Sequence, residues 1–416
     1  MPQRLAIIES IAMTAGLEPL RVATRAGLQV CFFAQDLKRY STLQGAWDIL
    51  EGCASIVELD TSNAEELAVG MRNEDVQGAV TMCDYFVPQV ATAAEALGLP
   101  GLSPTAARTL RDKARVRDLC AAAGVASAAY WAIADTKDLS KAVVHVGLPC
   151  VVKPVDESAS YGVTLCTNED DVRTTAELIL GRETNARGQS TPRVALLEEY
   201  LVGPEVSVEV MVRSADAISI VGVTSKRVGP PPSFVEFAHV FPSTLPVEKT
   251  HECERVAVDA IKASKLDFGA AHIEIKVTAE GPRLIEINPR LAGDWIPTLV
   301  EVATGYPLLE SVLFMHLGRA PSAPLSPNQA CAINFLGARP HGGQARVQPE
   351  PGLTRSFENL LPDVIAVQLD EDKLVGEVRS NHDRVGHVIA RGATPGAALL
   401  MAEIGASHSE FLCGSW

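Results

Sequence analysis

No two cysteines in this 416-residue chain are spaced as a metal knuckle: nine stand singly, at 31, 53, 83, 120, 150, 166, 253, 331 and 413, without a CxxC or a zinc-like histidine spacing. That argues against a zinc module. With no export signal in MPQRLAIIESIAMTAG, it fits reduced thiols in a cytoplasm. No apolar run is long enough to span a bilayer, so no membrane partner is expected. Lys and Arg number 36 against 51 Asp and Glu, a net charge of -15 with no dense basic run, which would repel nucleic acid and anionic lipid. GxGxxG, internal repeats and low-complexity tracts are missing as well. Small molecules remain as the expected partners.

The chain has 47% hydrophobic and 21% charged residues, as soluble globular proteins do, and its length allows two or three domains. Up to about residue 100, the apolar runs RLAIIES, LQVCFFAQD, ASIVELD and GAVTMCD alternate with helical patterns, as in an open parallel sheet. SPTAARTLRDKARVRDLCAAAGV reads as two helical segments, with Gly124 as a C-terminal cap. PCVVKPV is a strand carrying Lys153 near its end, DESASYGVTLC a small-residue loop entering another strand, and DDVRTTAELILGR a helix. VALLEEYLVGPEVSVEVMV reads as a strand, a tight Gly-Pro turn and a second strand. RVGPPPSFVEFAHVFPSTLP, with Lys226, Arg227 and three consecutive prolines, reads as a long loop, either a substrate lid or only a connection, leading to a helix from about Glu248 to Ser264. From about Asn328, CAINFLGA, VIAVQLD and VGHVIARG form a β-rich part closed by the helix ATPGAALLMAEIG.

The chemistry concentrates in HIEIKVTAEGPRLIEINPR, residues 272 to 290. His272, Glu274 and Lys276 alternate with apolar residues, as do Glu286 and Asn288 with Ile285 excepted, and a turn falls around Glu280 to Pro282. Two strands joined there set Glu274 opposite or nearly opposite Glu286 on one face. Like charges so placed weaken a sheet, so something positive should sit between them. With the amide oxygen of Asn288 they make an oxygen cage suited to Mg²⁺, which commonly holds phosphate too; the other reading is a solvated hairpin face. Lys153, in an apolar run, needs an anionic partner such as a nucleotide phosphate, unless it snorkels from a strand end. The small residues from Ser158 to Gly162 would let backbone N–H groups approach phosphates.

Taken in order, DKARVRD, VVKP, SxSxGV, EEYLVGPEVSVE, HIEIK and LIEINPR resemble the ATP-grasp superfamily, most closely its L-amino-acid ligases and other carboxylate-amine ligases, from Leu5 to Gly396. The resemblance implies an α/β, ATP-grasp fold. An N-terminal Rossmann-like parallel-sheet domain (1–103) would be followed by a helical linker (104–125), a small α+β lid (126–199) and a C-terminal ATP-grasp and β-rich domain (200–416). It implies that Lys113, Lys153 and the loop of Ser158, Ser160 and Gly162 bind ATP phosphates. Glu198, Glu199, Tyr200 and Leu201 would form the adenine hinge, and Glu205 would hold ribose. Glu274, Glu286 and Asn288 would hold Mg²⁺, with Mn²⁺ as the alternative, and Arg290 would steady the transferred phosphate. His239 resembles a histidine near the acyl phosphate, while packing between aromatics is its other reading; Glu236 would hold a substrate amine. Ala159 departs from the glycine of many relatives, and Asp294 marks a substrate contact that differs among them. The implied reaction joins an amino acid or related carboxylate to an amine through an acyl phosphate, releasing ADP and phosphate; a homodimer is expected by analogy alone. A biotin-carboxylase-like enzyme and a non-catalytic ATP-binding module are the alternatives.

Overall fold

The computed structural model describes residues 2–10, 15–40, 43, 45–231, 234–337, 345–346, 361–370, 374–375, 378 and 380–412. Strands β1 (Arg4–Ile8), β2 (Gln29–Ala34), β3 (Ser55–Glu58) and β4 (Gly78–Val80) form a parallel sheet in the order β3-β2-β1-β4, as the alternation of apolar runs and helices predicts. Leu5 and Ile7 face one core and Ala6 and Ile8 another, so both sides of β1 are covered. The two helical segments form Pro104–Arg111 and Lys113–Ala122, each started by a side-chain cap, Ser103 and Asp112 respectively. Gly124 follows the second at φ 72°, where a residue without Cβ is unstrained.

A second, antiparallel sheet holds β5 (Tyr130–Ile133), β6 (Cys150–Pro154), β7 (Thr164–Cys166) and β8 (Ala195–Glu199) in the order β5-β8-β6-β7. The third begins with β9 (Glu205–Ser214), β10 (Ala217–Val228), β11 (Glu236–Phe241), β12 (Gly269–Thr278), β13 (Gly281–Asn288) and β14 (Ala330–Leu336). A two-residue pair, β15 (Ala345–Arg346) with β17 (Leu374–Val375), lies apart, while β16 (Val364–Leu369) and β18 (Gly386–Gly392) join the third sheet. Its eight strands run β13-β12-β9-β10-β11-β14-β18-β16, so the β-rich C-terminal strands continue this sheet.

Strands β8 and β9 flank Gly203-Pro204 as expected, and the turn links the second sheet to the third. One expectation needs correction. The proline-rich stretch is not one long loop: Lys226 and Arg227 lie on β10, and VEFAHVF contains β11, with Pro232 and Ser233 outside the described residues. A bulge hides β11 from period-two reading. Arg227 pairs with Ala238 and Val228 with Glu236, leaving Phe237 as an extra residue.

One face of β9, β12 and β13 presents Val206, Val208, Ile273, Ile275 and Ile287 to a core shared with the helices Lys113–Ala122 and Val247–Ser264. Each fully buried residue of this kind contributes on the order of 1.5–3 kcal/mol. A second core ties the parallel sheet to Met211, Phe241 and Ile333 of the third through the apolar helices Ile296–Thr304 and Leu308–His316. These two helices meet at 112°, and among the described residues no single helix is long and apolar enough to cross a membrane.

His387 on β18 is 1% exposed, beside Trp295 and Phe335. Burial, opposed by Asp294 and assisted by Arg384, pulls its pKa down to about 4, so it is neutral in the fold. An unfolded histidine titrates near 6.5; this contribution is therefore complete above about pH 6.5 and is lost as pH falls toward 4. From pH 6.5 to pH 5 the loss is about 2 kcal/mol. His387→Phe should reduce the acid-induced loss of stability by about that amount in urea unfolding at the two pH values.

Candidate active site

The polar face of the third sheet is built in rows. Directly paired residues on neighbouring strands share a face. Thr224 pairs with Ser207, Ser207 with Glu274, and Glu274 with Glu286, across β10, β9, β12 and β13. On one side of this row Glu209 pairs with His272 and His272 with Asn288. On the other run His239, Lys226, Glu205, Lys276 and Arg283. Lys276 faces Arg283 with the hairpin turn beyond, and a bulge leaves Ile285 unpaired, which is why alternation fails at that residue.

These rows floor a cleft of about 280 Å³, whose wall also includes Lys113, Lys153, Ser158, Ser160, Glu198, Glu199, Tyr200, Leu201, Glu236, Arg290 and Asp294. Every residue singled out from the sequence lies on the wall except Gly162, whose neighbours Tyr161 and Val163 do, and His239, which is fully buried.

The positive partners anticipated for the facing carboxylates are lysines. Lys226 Nζ lies 2.8 Å from Glu274, and Lys113 Nζ lies 3.1 Å from Glu286. Opposed carboxylates about 5 Å apart repel by about 3 kcal/mol at an effective dielectric of about 20, which makes cations obligatory here. Lys226 is also 2.7 Å from Glu236 and 3.4 Å from Glu205. Burial opposes its charge, but Glu236, Glu274 and Glu205 together hold its pKa well above the ordinary value. His272 is fixed from both sides: Nδ1 is 3.0 Å from Glu209, which also accepts from Ser207 at 2.7 Å, and Nε2 is 3.2 Å from Glu274. The all-oxygen set of Glu274, Glu286 and Asn288 on adjoining strands fits Mg²⁺ or Mn²⁺.

At the lid end, Lys153 has a protein partner, Glu198, at 2.5 Å, and Arg117 Nε lies 2.7 Å from the same carboxylate. Burial alone would raise the Glu198 pKa; Arg117 and Lys153 lower it below the ordinary value. Thus burial of Lys153 does not by itself require a phosphate. Two cations share one carboxylate, however, and the remaining positive charge faces the cleft. In the loop above, Ala159 and Ser160 have φ 56° and 58° and Gly162 φ 73°, and the N–H groups of Tyr161 and Val163 donate to the carbonyls of Ser158 and Ser160. Ala159 adopts the conformation a glycine would take without strain.

At the far end, Glu236, His239 and Asp294 bring one ligand atom each within 4.8 Å of one another. Cations already engage two of them: Lys226 holds Glu236, and Arg384 grips Asp294 with two bonds of 2.8 and 2.7 Å while lying over the Phe335 ring. A second metal is not called for. His239 Nε2 is 3.2 Å from Glu236 and 3.4 Å from Asp294; burial disfavours its charge, but these hydrogen bonds raise its pKa. The bulge at Phe237 lets residues 236 and 239 share a face.

Sequence reading missed several of these groups. The EVSVEV alternation on β9 signals that Ser207 and Glu209 face the same way as Glu205, whereas Arg117, Arg384 and Asp84 carry no local mark. Asp84 lies just past β4 and receives Arg290 through Nε at 2.8 Å and Nη2 at 2.6 Å. Burial alone would raise its pKa, but Arg290 and Arg111 hold it at about 2.

Residues 146–298 match the profile of the ATP-grasp domain, and residues 20–101 that of the ATP-grasp N-terminal domain. The chain belongs to the ATP-grasp family. This ATP-grasp protein is 29% identical over 347 residues to an uncharacterized protein of Sinorhizobium fredii, covering 80% of this chain and 69% of the relative. It is 30% identical over 237 residues to the alanine–anticapsin ligase of Bacillus subtilis, covering 53% of this chain and 49% of the relative, and so spans about half of that ligase. In fold it is similar to the L-amino acid ligase from Bacillus licheniformis, with a TM-score of 0.80 at 20% identity over 99% of this chain and 97% of the other.

Lys226→Met would leave Glu236 and Glu274 without their shared cation. Removing one partner of a buried ion pair costs about 3 to 5 kcal/mol, so its urea midpoint should fall well below wild type. An unchanged midpoint would show that Lys226 does not neutralise this face.

Proposed function

We propose that this protein is an ATP-dependent carboxylate-amine ligase that activates an amino acid or related carboxylate as an acyl phosphate. The observation carrying this reading is the opposed pair Glu274 and Glu286 in the same cleft as Lys113, Lys153 and Arg290. A pocket that only bound nucleotide would not need the carboxylate pair beside an arginine. The adenine would lie against Glu198 to Leu201, with its ribose at Glu205 and its phosphates toward Lys113, Lys153 and the loop from Ser158 to Gly162.

In the first step, a substrate carboxylate oxygen attacks the γ-phosphorus as the bond to the β-bridging oxygen breaks and ADP departs. An amine nitrogen then attacks the acyl carbon, phosphate leaves, and the nitrogen loses a proton as the amide forms. The chain's contribution is placement and charge: the lysines and Arg290 draw negative oxygen atoms together, and Glu236 with Asp294 offers acceptors for an ammonium group. Mg²⁺ or Mn²⁺, held by Glu274, Glu286 and Asn288, would supply charge neutralisation of the phosphates. The free state of the eight described cysteines fits a cytoplasmic location. The same reading divides the chain near residues 103, 125 and 199.

Purified protein with MgATP should release phosphate only when a carboxylate and an amine are both supplied, with ADP and a new amide mass as products. Glu286→Gln should lower that release on the order of a hundredfold or more. Full activity in this variant would sink the metal assignment. Bicarbonate-dependent turnover with biotin would favour the carboxylating alternative.

A further inference from the structure

Asp84 joins three parts of the chain that are far apart in sequence. Through one oxygen, Oδ2, it accepts from Ser158 Oγ of the loop at 2.6 Å and from the Nε and Nη2 of Arg290 at 2.8 and 2.6 Å. The residue is 2% exposed, and its other oxygen, Oδ1, is buried without a hydrogen-bond partner among the described residues. The adjacent Tyr85 donates to Glu157 Oε2 at 2.5 Å, and Glu157 also receives Arg182 from beyond the helix Glu169–Leu180. Arg111 stacks over the Tyr85 ring and donates to the Asp156 carbonyl. The turn after β4 therefore touches two successive loop residues, Glu157 and Ser158, and reaches Asp156 through Arg111, while also gripping Arg290.

Asp84 and Tyr85 do not themselves line the cleft, whereas Ser158 and Arg290 do. With one of its contacts on the loop and two on Arg290, the Asp84 carboxylate has all three donors on Oδ2 only when the loop is down. Arg290 is held by Nε and Nη2 on Asp84 Oδ2 and by Nη1 on the Leu291 carbonyl at 2.8 Å, and these bonds on two sides fix the orientation of its guanidinium plane. We propose that Asp84 is a positioning residue that couples closure of the phosphate loop to the placement of Arg290. The link from Arg290 to phosphoryl transfer rests on the ligase reading; the link from Asp84 to the loop does not.

The test uses the full chain with Asp84→Asn, Asp84→Glu, Ser158→Ala and the Asp84→Asn/Ser158→Ala double variant, and two readouts. The first is chymotryptic cleavage after Tyr161, which is 53% exposed within the loop, with and without MgADP. Nucleotide should protect wild type, and Asp84→Asn and Ser158→Ala should lose that protection by similar factors, with the double variant no worse than either. The second is substrate-dependent phosphate release. Asp84→Asn should lower kcat on the order of a hundredfold with KM for ATP little changed, and Asp84→Glu should recover part of the loss. Wild-type protection in Asp84→Asn, or losses that multiply in the double variant, would overturn the coupling. If wild type releases no phosphate, the ligase reading fails while the cleavage result still decides the role of Asp84. Should Asp84→Asn not fold, cleavage in Ser158→Ala decides in its place: faster cleavage supports the contact and unchanged cleavage removes it.

Discussion

Two carboxylates facing each other across a hairpin are the constraint around which this cleft is organised. Glu274 and Glu286 are fixed in register by β12 and β13, so neither can relax away without disrupting a strand pair. The rows beside them carry the response. Lys226 comes from β10 and Lys113 from a helix before the second sheet, and each meets one of the acids. A sheet face that concentrates negative charge is thus neutralised by cations brought in from other segments.

The same economy governs the other end of the cleft. Glu198 serves both Arg117 and Lys153, leaving positive charge over. Asp294 serves Arg384 and approaches His239, while Glu236 serves Lys226 and His239. The cleft thus grades from a cationic end beneath the lid, through the carboxylate pair, to a mixed end where Glu236 and Asp294 meet Lys226, His239 and Arg384. That gradient suits a reaction in which phosphate chemistry and amine recognition must take place within one volume without interfering.

Much of this was legible because strand alternation is local. The period-two pattern of HIEIKV and the turn at Glu280 placed Glu274 against Glu286, and even the exception at Ile285 proved to be a bulge. The parallel N-terminal sheet was equally plain from its buried apolar runs. Where a bulge coincided with prolines, as at Phe237, the strand looked like a loop. The Glu198 partner of Lys153 was not legible for a different reason: a buried charge demands a counter-charge, but local sequence cannot name the protein group that meets it. Arg384 and Asp84 lie outside any motif, and Arg117, though within DKARVRD, shows no sign of its partner, since these contacts join segments up to 206 residues apart.

The most direct test of the carboxylate pair is the anomalous diffraction of Mn²⁺ in crystals grown with ADP. The account predicts a peak between Glu274 and Glu286, within reach of Asn288 and of the nucleotide phosphates, that disappears in Glu286→Gln crystals still holding ADP. ADP bound with manganese only among Glu236, His239 and Asp294, or with none in the cleft, would contradict it.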